Sequence, residues 1–370
     1  MPHSSPEKPL FNNHEQERYQ RHLQLPNFGP VGQNRCRESH IVIVGMGGLG
    51  CPVALYLTAA GVGKLTLVDA DDVSLSNLQR QILFTEDDIG MKKVAAAAQR
   101  LNKHNHLVSI NTKSERLSPS NAKHILSSAD LVIDCTDNFF ARYLINDVCH
   151  QMSKPWIYSS VLGQQGQAVL FYPKRSCFRC LFPKLSNAPD CNQAGVLGVM
   201  PGMMGTMQAS LALEHLCAAQ EPDHNQLLQV SSWPFALTKI QLTKSPTCTL
   251  CNGTASEEQL SVDYQAPVSP LNKAYILTPE ALDELRISSN TVLVDLRSEQ
   301  DFEANNLGGV NIPLEHLSRD FRAEKNHTYV FYCQTGKRSE WAITQLLSAD
   351  PSVTAQCTIY SLQGGIDAVI

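Results

Sequence analysis

The chain has 370 residues, enough for two domains, with 43% hydrophobic residues and a formal charge of −5 from 30 Lys and Arg against 35 Asp and Glu. No dense basic stretch stands out, which argues against a nucleic-acid partner, and no run of about 18 apolar residues marks a membrane span. The opening residues MPHSSPEKPLFN lack an apolar h-region, so no secretory signal is expected and the chain reads as cytoplasmic.

In chain order, residues 14–36 read as helix and then loop. HIVIVGMGGLG (40–50) is an apolar strand running into a glycine turn, and CPVALYLTAAG (51–61) a helix closed by Gly61. KLTLVDAD (64–71) is a second strand and MKKVAAAAQRLNKHN (91–105) a strong helix. VSINTKSE (108–115) and ADLVIDCTD (129–137) are a third and a fourth strand. This β-α-β-α-β order predicts a Rossmann-like, mostly parallel sheet with helices on both faces, and ligands at the carboxyl ends of its strands. Gly45, Asp69 and Asp137 all lie at such ends. After residue 150 the pattern turns antiparallel, in KPWIYSSVLGQQGQAVLFYP, before a Gly- and Met-rich loop enters a long buried helix. The methionines there read as core filling.

Residues 254–275 are polar, contain two prolines and show no period, and read as a linker. Domain 1–253 therefore precedes it, and a small α/β domain, 276–370, follows. In that second domain TPEALDEL (278–285) is a helix, TVLVDLR (291–297) and TYVFYC (328–333) are strands, RSEWAITQLLSA (338–349) is a helix and CTIYSL (357–362) a strand.

GMGGLG fits G-x-G-x-x-G through Gly45, Gly47 and Gly50. The glycines allow a tight turn against phosphate, and Asp69, about 20 positions on, suits a ribose hydroxyl. This much fits an NAD-dependent dehydrogenase equally well. The run DADDVSLSNLQRQ (69–81) adds Ser76, Asn77, Arg80 and Gln81, followed by Lys93 and by DCTDN (134–138) with Asp137 and Asn138. Cations that neutralise charge developing on phosphate suit a nucleoside triphosphate better than hydride transfer, and Asp137 offers the hard oxygen that Mg²⁺ prefers.

Of the twelve cysteines, four form two CxxC pairs, Cys177/Cys180 and Cys248/Cys251, with 67 residues between Cys180 and Cys248. Four thiolates at this spacing suit a tetrahedral structural Zn²⁺, giving the first domain a zinc-bearing extension. Cys191 and Cys333 stand in polar or Gly-rich loops, while Cys36, Cys51, Cys135, Cys149, Cys217 and Cys357 read as small buried hydrophobes.

The series RYQRH, GMGGLG, LVDADDVSLSNLQRQ, GMKKV, DCTDN, CFRC and CTLC, across residues 14–253, closely resembles the MoeB/ThiF adenylyltransferases, relatives of the ubiquitin-activating enzymes. The resemblance implies adenylation, with ATP and Mg²⁺, of the C-terminal Gly-Gly carboxylate of a small ubiquitin-like sulfur carrier of the MoaD/ThiS kind. It places Gly48 against the nucleotide, Asp69 on the ribose, Asn77, Arg80 and Lys93 on the phosphates and Asp137 on Mg²⁺. It implies a homodimer in which Arg21 enters the partner copy's site. It sets Cys191 near the carrier tail, where a thiolate attacks an acyl adenylate readily to give a thioester or acyl disulfide.

VLVDLRSEQDFEANNLGGVNIPL (292–314), with Asp295 and Arg297, and the loop CQTGKRS resemble a rhodanese domain over 276–370. Two departures appear, Asn306 where histidine is common and Val369 where tryptophan often follows the alanine. A loop of inward N–H groups, a helix N-terminus, Lys337 and Arg338 would all favour a Cys333 thiolate or persulfide. Sulfur would then pass from Cys333 to the adenylated carrier, yielding a thiocarboxylate for molybdopterin, thiamin or a related pathway, with a cysteine desulfurase upstream. An NAD(P) oxidoreductase carrying a rhodanese domain and a non-enzymatic zinc-stabilised docking platform are the alternative readings.

Overall fold

The computed structural model describes residues 10–183, 195–217, 222–254, 273–286, 290–349, 353–354 and 356–370. The chain separates into two compact units, Met1–Tyr264 and Gln265–Ile370. Most of the expected linker, residues 255–272, and Cys191 lie outside the described residues.

In the first unit, strands β1 (His40–Val44), β2 (Lys64–Val68), β3 (Ser109–Lys113), β4 (Leu131–Asp134), β5 (Trp156–Leu162), β6 (Gln165–Phe171), β7 (Asn225–Ser232) and β8 (Phe235–Leu242) form one sheet in the order β3-β2-β1-β4-β5-β6-β7-β8. The first five run parallel, and β5 to β8 pair antiparallel. β1 reads as a continuous apolar run because both of its faces are buried. Ile41 and Ile43 pack into one core with Leu65, Leu67 and Ile133, while Val42 and Val44 pack into the other with Val132, Trp156 and Tyr158. Met200 and Met204, on the long helix Val199–Cys217, are fully buried in the first core, as core-filling methionines should be. Cys36, Cys51, Cys135, Cys149 and Cys357 are buried, whereas Cys217 is half-buried.

Strand order reverses between β1 and β4. β1 passes its chain to β2 on one side, yet its other neighbour is β4, so the two following loops diverge and leave a crevice at their carboxyl ends. The β7–β8 hairpin was not foreseen from sequence. β8 is an edge strand with its residues exposed up to Leu242, so its mixed polar and apolar run carries no burial period.

The second unit is a five-stranded parallel sheet built of β9 (Ile276–Leu277), β10 (Thr291–Asp295), β11 (Val310–Asn311), β12 (Thr328–Tyr332) and β13 (Thr358–Leu362), in the order β11-β10-β12-β13-β9. The apolar stretches β10 and β12 occupy its centre. β9 and β11 are two-residue edge strands, too short to give a sequence signal.

One buried ion pair ties the first CxxC to the helix Phe139–Gln151. Arg179, between Cys177 and Cys180, lies 9% exposed in its side chain and pairs with the fully buried Asp147 at 2.6 Å. Phe178 beside it is fully buried among Phe139, Tyr143, Trp156, Tyr158, Phe171 and Phe182, with ring centroids 4.8–6.5 Å away. Removing one partner of such a pair strands the other charge in a low-dielectric interior. Asp147→Ala is therefore expected to destabilise the first unit by about 3–5 kcal/mol, seen as a lower midpoint in urea titration.

Candidate functional site

The crevice begins where β1 meets its glycine turn. Gly45 has φ +97°, a left-handed value costly for other residues, and a Cβ there would sit 2.6 Å from the Cys135 carbonyl oxygen at the end of β4. The Cys135 N–H donates to Val44 O (2.8 Å), which holds the end of β4 against β1 here, and the Gly45 N–H donates to Val68 O (2.8 Å) at the end of β2 on the other side. Gly47 is different. A Cβ there would meet only Gln81 Nε2, at 3.8 Å, so the protein leaves this position open above the turn. A Cβ on Gly48 would come within 2.8 Å of Pro201 Cβ and 3.4 Å of Arg80 Cγ. The turn leads into the helix Gly50–Ala60, whose N-terminus favours an anion.

Asp69, just past β2, braces the turn. One carboxylate oxygen accepts from the Met46 N–H at 2.7 Å and the other from the Asp71 N–H at 2.8 Å. Ser76 and Asn77 lie in the 3₁₀ turn Leu75–Asn77; Ser76 is exposed, and its carbonyl accepts from the Arg80 guanidinium at 3.0 Å. Lys93 opens the helix Lys93–His104 and is buried, its Nζ 3.1 Å from an Asp71 oxygen. Burial alone would raise the Asp71 pKa, but Lys93 and Arg116 beside it hold the carboxyl below the usual range. Asp71 was not singled out from sequence, because its pairing with Lys93 spans 22 positions and leaves no local signal.

Past β4, Asp137 and Asn138 are both exposed. Asn138 caps the helix Phe139–Gln151, its side-chain oxygen accepting from the Ala141 N–H at 2.9 Å. The loop is held from below by Asp134, which is fully buried and accepts from the Thr136 N–H (2.9 Å) and hydroxyl (2.7 Å). Arg142 lies 3.5 Å from Asp134 and donates to the Thr136 carbonyl at 2.9 Å. Burial pushes the Asp134 carboxyl up to about 6, against the opposing pull of Arg142 and Thr136. Arg21, on the short helix Gln20–Leu23, is exposed on this chain.

The four CxxC sulfurs converge. Sγ–Sγ distances are 3.3 Å for Cys177–Cys251, 3.6 Å for Cys177–Cys248 and Cys180–Cys251, and 3.9 Å for Cys177–Cys180; all four sulfurs lie within 4.8 Å of one another. Four sulfurs at about 2.3 Å from a tetrahedral zinc would be about 3.8 Å apart, so the donor set fits such an ion.

In the second unit, Cys333 directly follows β12 with 1% of its surface exposed. Its carbonyl accepts from the Ile366 N–H (2.8 Å), and the Gln334 carbonyl accepts from the Asp367 N–H (3.1 Å). Trans peptides then turn the Gln334 and Thr335 N–H groups the opposite way. Gly365 permits this crossing, since a Cβ there would lie 2.3 Å from the Cys333 oxygen. The helix Lys337–Ala349 follows, with Arg338 half-buried and the Ser339 hydroxyl donating to the Gly336 carbonyl at 2.8 Å. Arg297, 2% exposed, forks onto the buried Asp295 at 2.7–3.1 Å and also donates to Asn305 and to Gln334 Oε1 (3.3 Å). The Gln334 side chain in turn donates to Asp367. Sequence reasoning passed over Gln334, Asn305 and Asp367, which reach this network only through the fold.

Comparison with known proteins follows the same division. The ThiF family profile matches residues 19–250 and the Rhodanese-like domain profile residues 278–370. A sulfur carrier protein adenylyltransferase of Thermus thermophilus is 38% identical, over 69% of this chain and 97% of its own length. Adenylyltransferase and sulfurtransferase MOCS3-1 of Zea mays is 34% identical, over 94% of this chain and 80% of its own. A crystal structure of E. coli MccB with MccA-N7isoASN covers 65% of this chain and 75% of that chain at 24% identity, with a TM-score of 0.57, and shares the fold.

Gly45 and Gly47 separate packing from binding. Gly45→Ala is expected to cost about 1–3 kcal/mol of stability through its left-handed backbone and its clash with Cys135. Gly47→Ala should unfold at the wild-type temperature while binding ATP more weakly. Thermal unfolding and equilibrium dialysis measure the two effects.

Proposed function

Because this chain belongs to the ThiF family and carries a C-terminal rhodanese-like domain, we propose that it adenylates the C-terminal Gly-Gly carboxylate of a small ubiquitin-like sulfur carrier of the MoaD/ThiS kind and then thiolates it. It is an adenylyltransferase and a sulfurtransferase. The observation that carries the first activity is the open glycine turn, with only Gln81 Nε2 near Gly47, Arg80 beside Gly48 and the helix N-terminus following.

The nucleotide is a substrate here, and each residue has an assigned task. Gly45, Gly47 and Gly48 let the backbone approach its phosphates. Asp69 takes the ribose hydroxyls with the lone pairs left after bracing Met46. Asn77, Arg80 and Lys93 face the phosphates, and Ser76 holds the Arg80 guanidinium through its carbonyl. As pyrophosphate leaves, these cations stabilise the charge that gathers on it. Asp137 is the candidate carboxylate for Mg²⁺, which would supply Lewis-acid neutralisation of the phosphates when bound. Asn138 keeps its side-chain NH₂ to donate once its oxygen has capped the helix. Arg21, exposed on its own chain, is assigned to the partner copy's site in a homodimer.

Cys333 is the sulfur carrier of the second step. Its persulfide, supplied by a cysteine desulfurase, attacks the acyl adenylate carbonyl and AMP leaves. A thiol then cleaves the S–S bond and the thiocarboxylate departs. Arg338 and the N–H groups turned away from Asp367 suit the anionic sulfur. Cys191 is assigned a covalent link to the carrier, as a thioester or acyl disulfide.

Two measurements test this reading. Pyrophosphate exchange with ATP should appear only when a Gly-Gly-ended sulfur carrier is added, and Cys333→Ala should leave that exchange intact while reducing thiocarboxylate, read by mass spectrometry, to background. Exchange without a carrier, or thiocarboxylate from Cys333→Ala, would contradict it. For the cysteine cluster we propose Zn²⁺ in a structural role: elemental analysis should find zinc equimolar with chain, and Cys248→Ser should lose the metal and lower the unfolding temperature of the first unit. Full thermal stability in a zinc-free chain would exclude that role.

A further inference from the structure

We propose that Gln81 is an additional phosphate ligand, donating from Nε2 to a phosphoryl oxygen of the nucleotide laid over Gly47. The inference rests on the adenylation reading above and adds a residue to that site.

Gln81 is only 3% exposed. Its main chain is fixed in a turn, its N–H donating to Asn77 O (2.9 Å) and its carbonyl accepting from the Phe84 N–H (3.1 Å). The carboxamide, by contrast, is unused. Oε1 is enclosed and has no hydrogen-bond partner, and Nε2 donates to none of the described residues. A buried glutamine with neither end bonded is an anomaly for a fold, since buried polar groups are almost always paired. An apolar side chain would fill the space at lower cost, unless a ligand completes the bonding.

The position of the amide shows which ligand. Nε2 is the one atom within 4 Å of a Cβ built on Gly47, while the Arg80 Cγ stands 3.4 Å from one built on Gly48. Two consecutive side chains therefore lean on two consecutive glycines of the turn. Arg80 brings a charge, but its guanidinium is drawn toward the Ser76 carbonyl. Gln81 brings a neutral donor over the open glycine. Phosphoryl oxygens offer only acceptors, so the NH₂ end matches them and the carbonyl end does not. A neutral donor orients a phosphoryl group without adding to the charge that Lys93 and Arg80 already supply.

The test uses the full chain with Mg²⁺ and measures ATP and adenosine affinities side by side. Gln81→Met keeps the size and removes the donor. It should weaken ATP about 10- to 100-fold, the effect of losing one hydrogen bond to a charged group, while adenosine affinity and unfolding temperature stay at wild type. Gln81→Glu should be weaker still for ATP, because its carboxylate opposes the phosphates. Wild-type ATP affinity in either variant overturns the proposal, and so does a parallel loss of ATP and adenosine, which would mark a packing role. Should Gln81→Met fail to fold, Gln81→Glu alone decides on the same criterion. A folded wild-type chain that binds no ATP would overturn both this proposal and the adenylation reading, whereas ATP binding lost in Arg80→Ala but kept in Gln81→Met overturns only this one.

Discussion

The approach of Gly45 to the Cys135 carbonyl, 2.6 Å from where a Cβ would be, is the constraint on which the first unit's site depends. It pins the end of β1 to the end of β4 at the point where strand order reverses. Asp69 then fixes the turn from the β2 side through the Met46 N–H, and Asp134 with Arg142 fixes the other loop through Thr136. The exposed Asp137 thus stands on a loop whose base is buried and held through Asp134 Oδ1 and the Thr136 carbonyl. Such support is what a phosphate-handling site requires, because its catalysis comes from positioned charge more than from covalent chemistry.

The same device recurs where sulfur is involved. Arg179–Asp147 anchors the CxxC knuckle, and Arg297–Asp295 anchors the base of the Cys333 loop through Gln334. Buried ion pairs of this kind contribute little net stability against hydrophobic replacements. Their geometry is what matters here: a bidentate guanidinium fixes direction as well as distance. The four cysteine sulfurs bring the knuckle after β6 and the segment after β8 together, all within 4.8 Å of one another.

Two chemistries that would interfere in one pocket are divided between two units. Activating a carboxylate calls for cations and an open phosphate cradle, while carrying sulfur calls for a shielded thiol within turned N–H groups. Cys333 is 1% exposed and enclosed in a core of the second unit. The family profiles divide at the same place, with residues 19–250 on one side and 278–370 on the other.

Local spacing made much of this legible from sequence alone. The β-α-β order, the glycine turn with Asp69, the two CxxC pairs and the Cys333 loop are all written within short windows, where period and turn chemistry act directly. The β7–β8 hairpin was not legible, because an exposed edge strand has no buried face to impose a period. β9 and β11 were too short to register. Lys93 could be named as a cation but not given its Asp71 partner, and Gln81 could be seen beside Arg80 but not set over Gly47. Gln334 and Asp367 acquire roles only when distant segments meet, and Asp134 and Arg142 only once the loop is buried. Sequence thus determined which chemical groups the protein holds and which turns present them. Tertiary structure alone decided which of those groups are paired and which are left open, because burial and contact are properties of the packed chain and not of its neighbours in sequence.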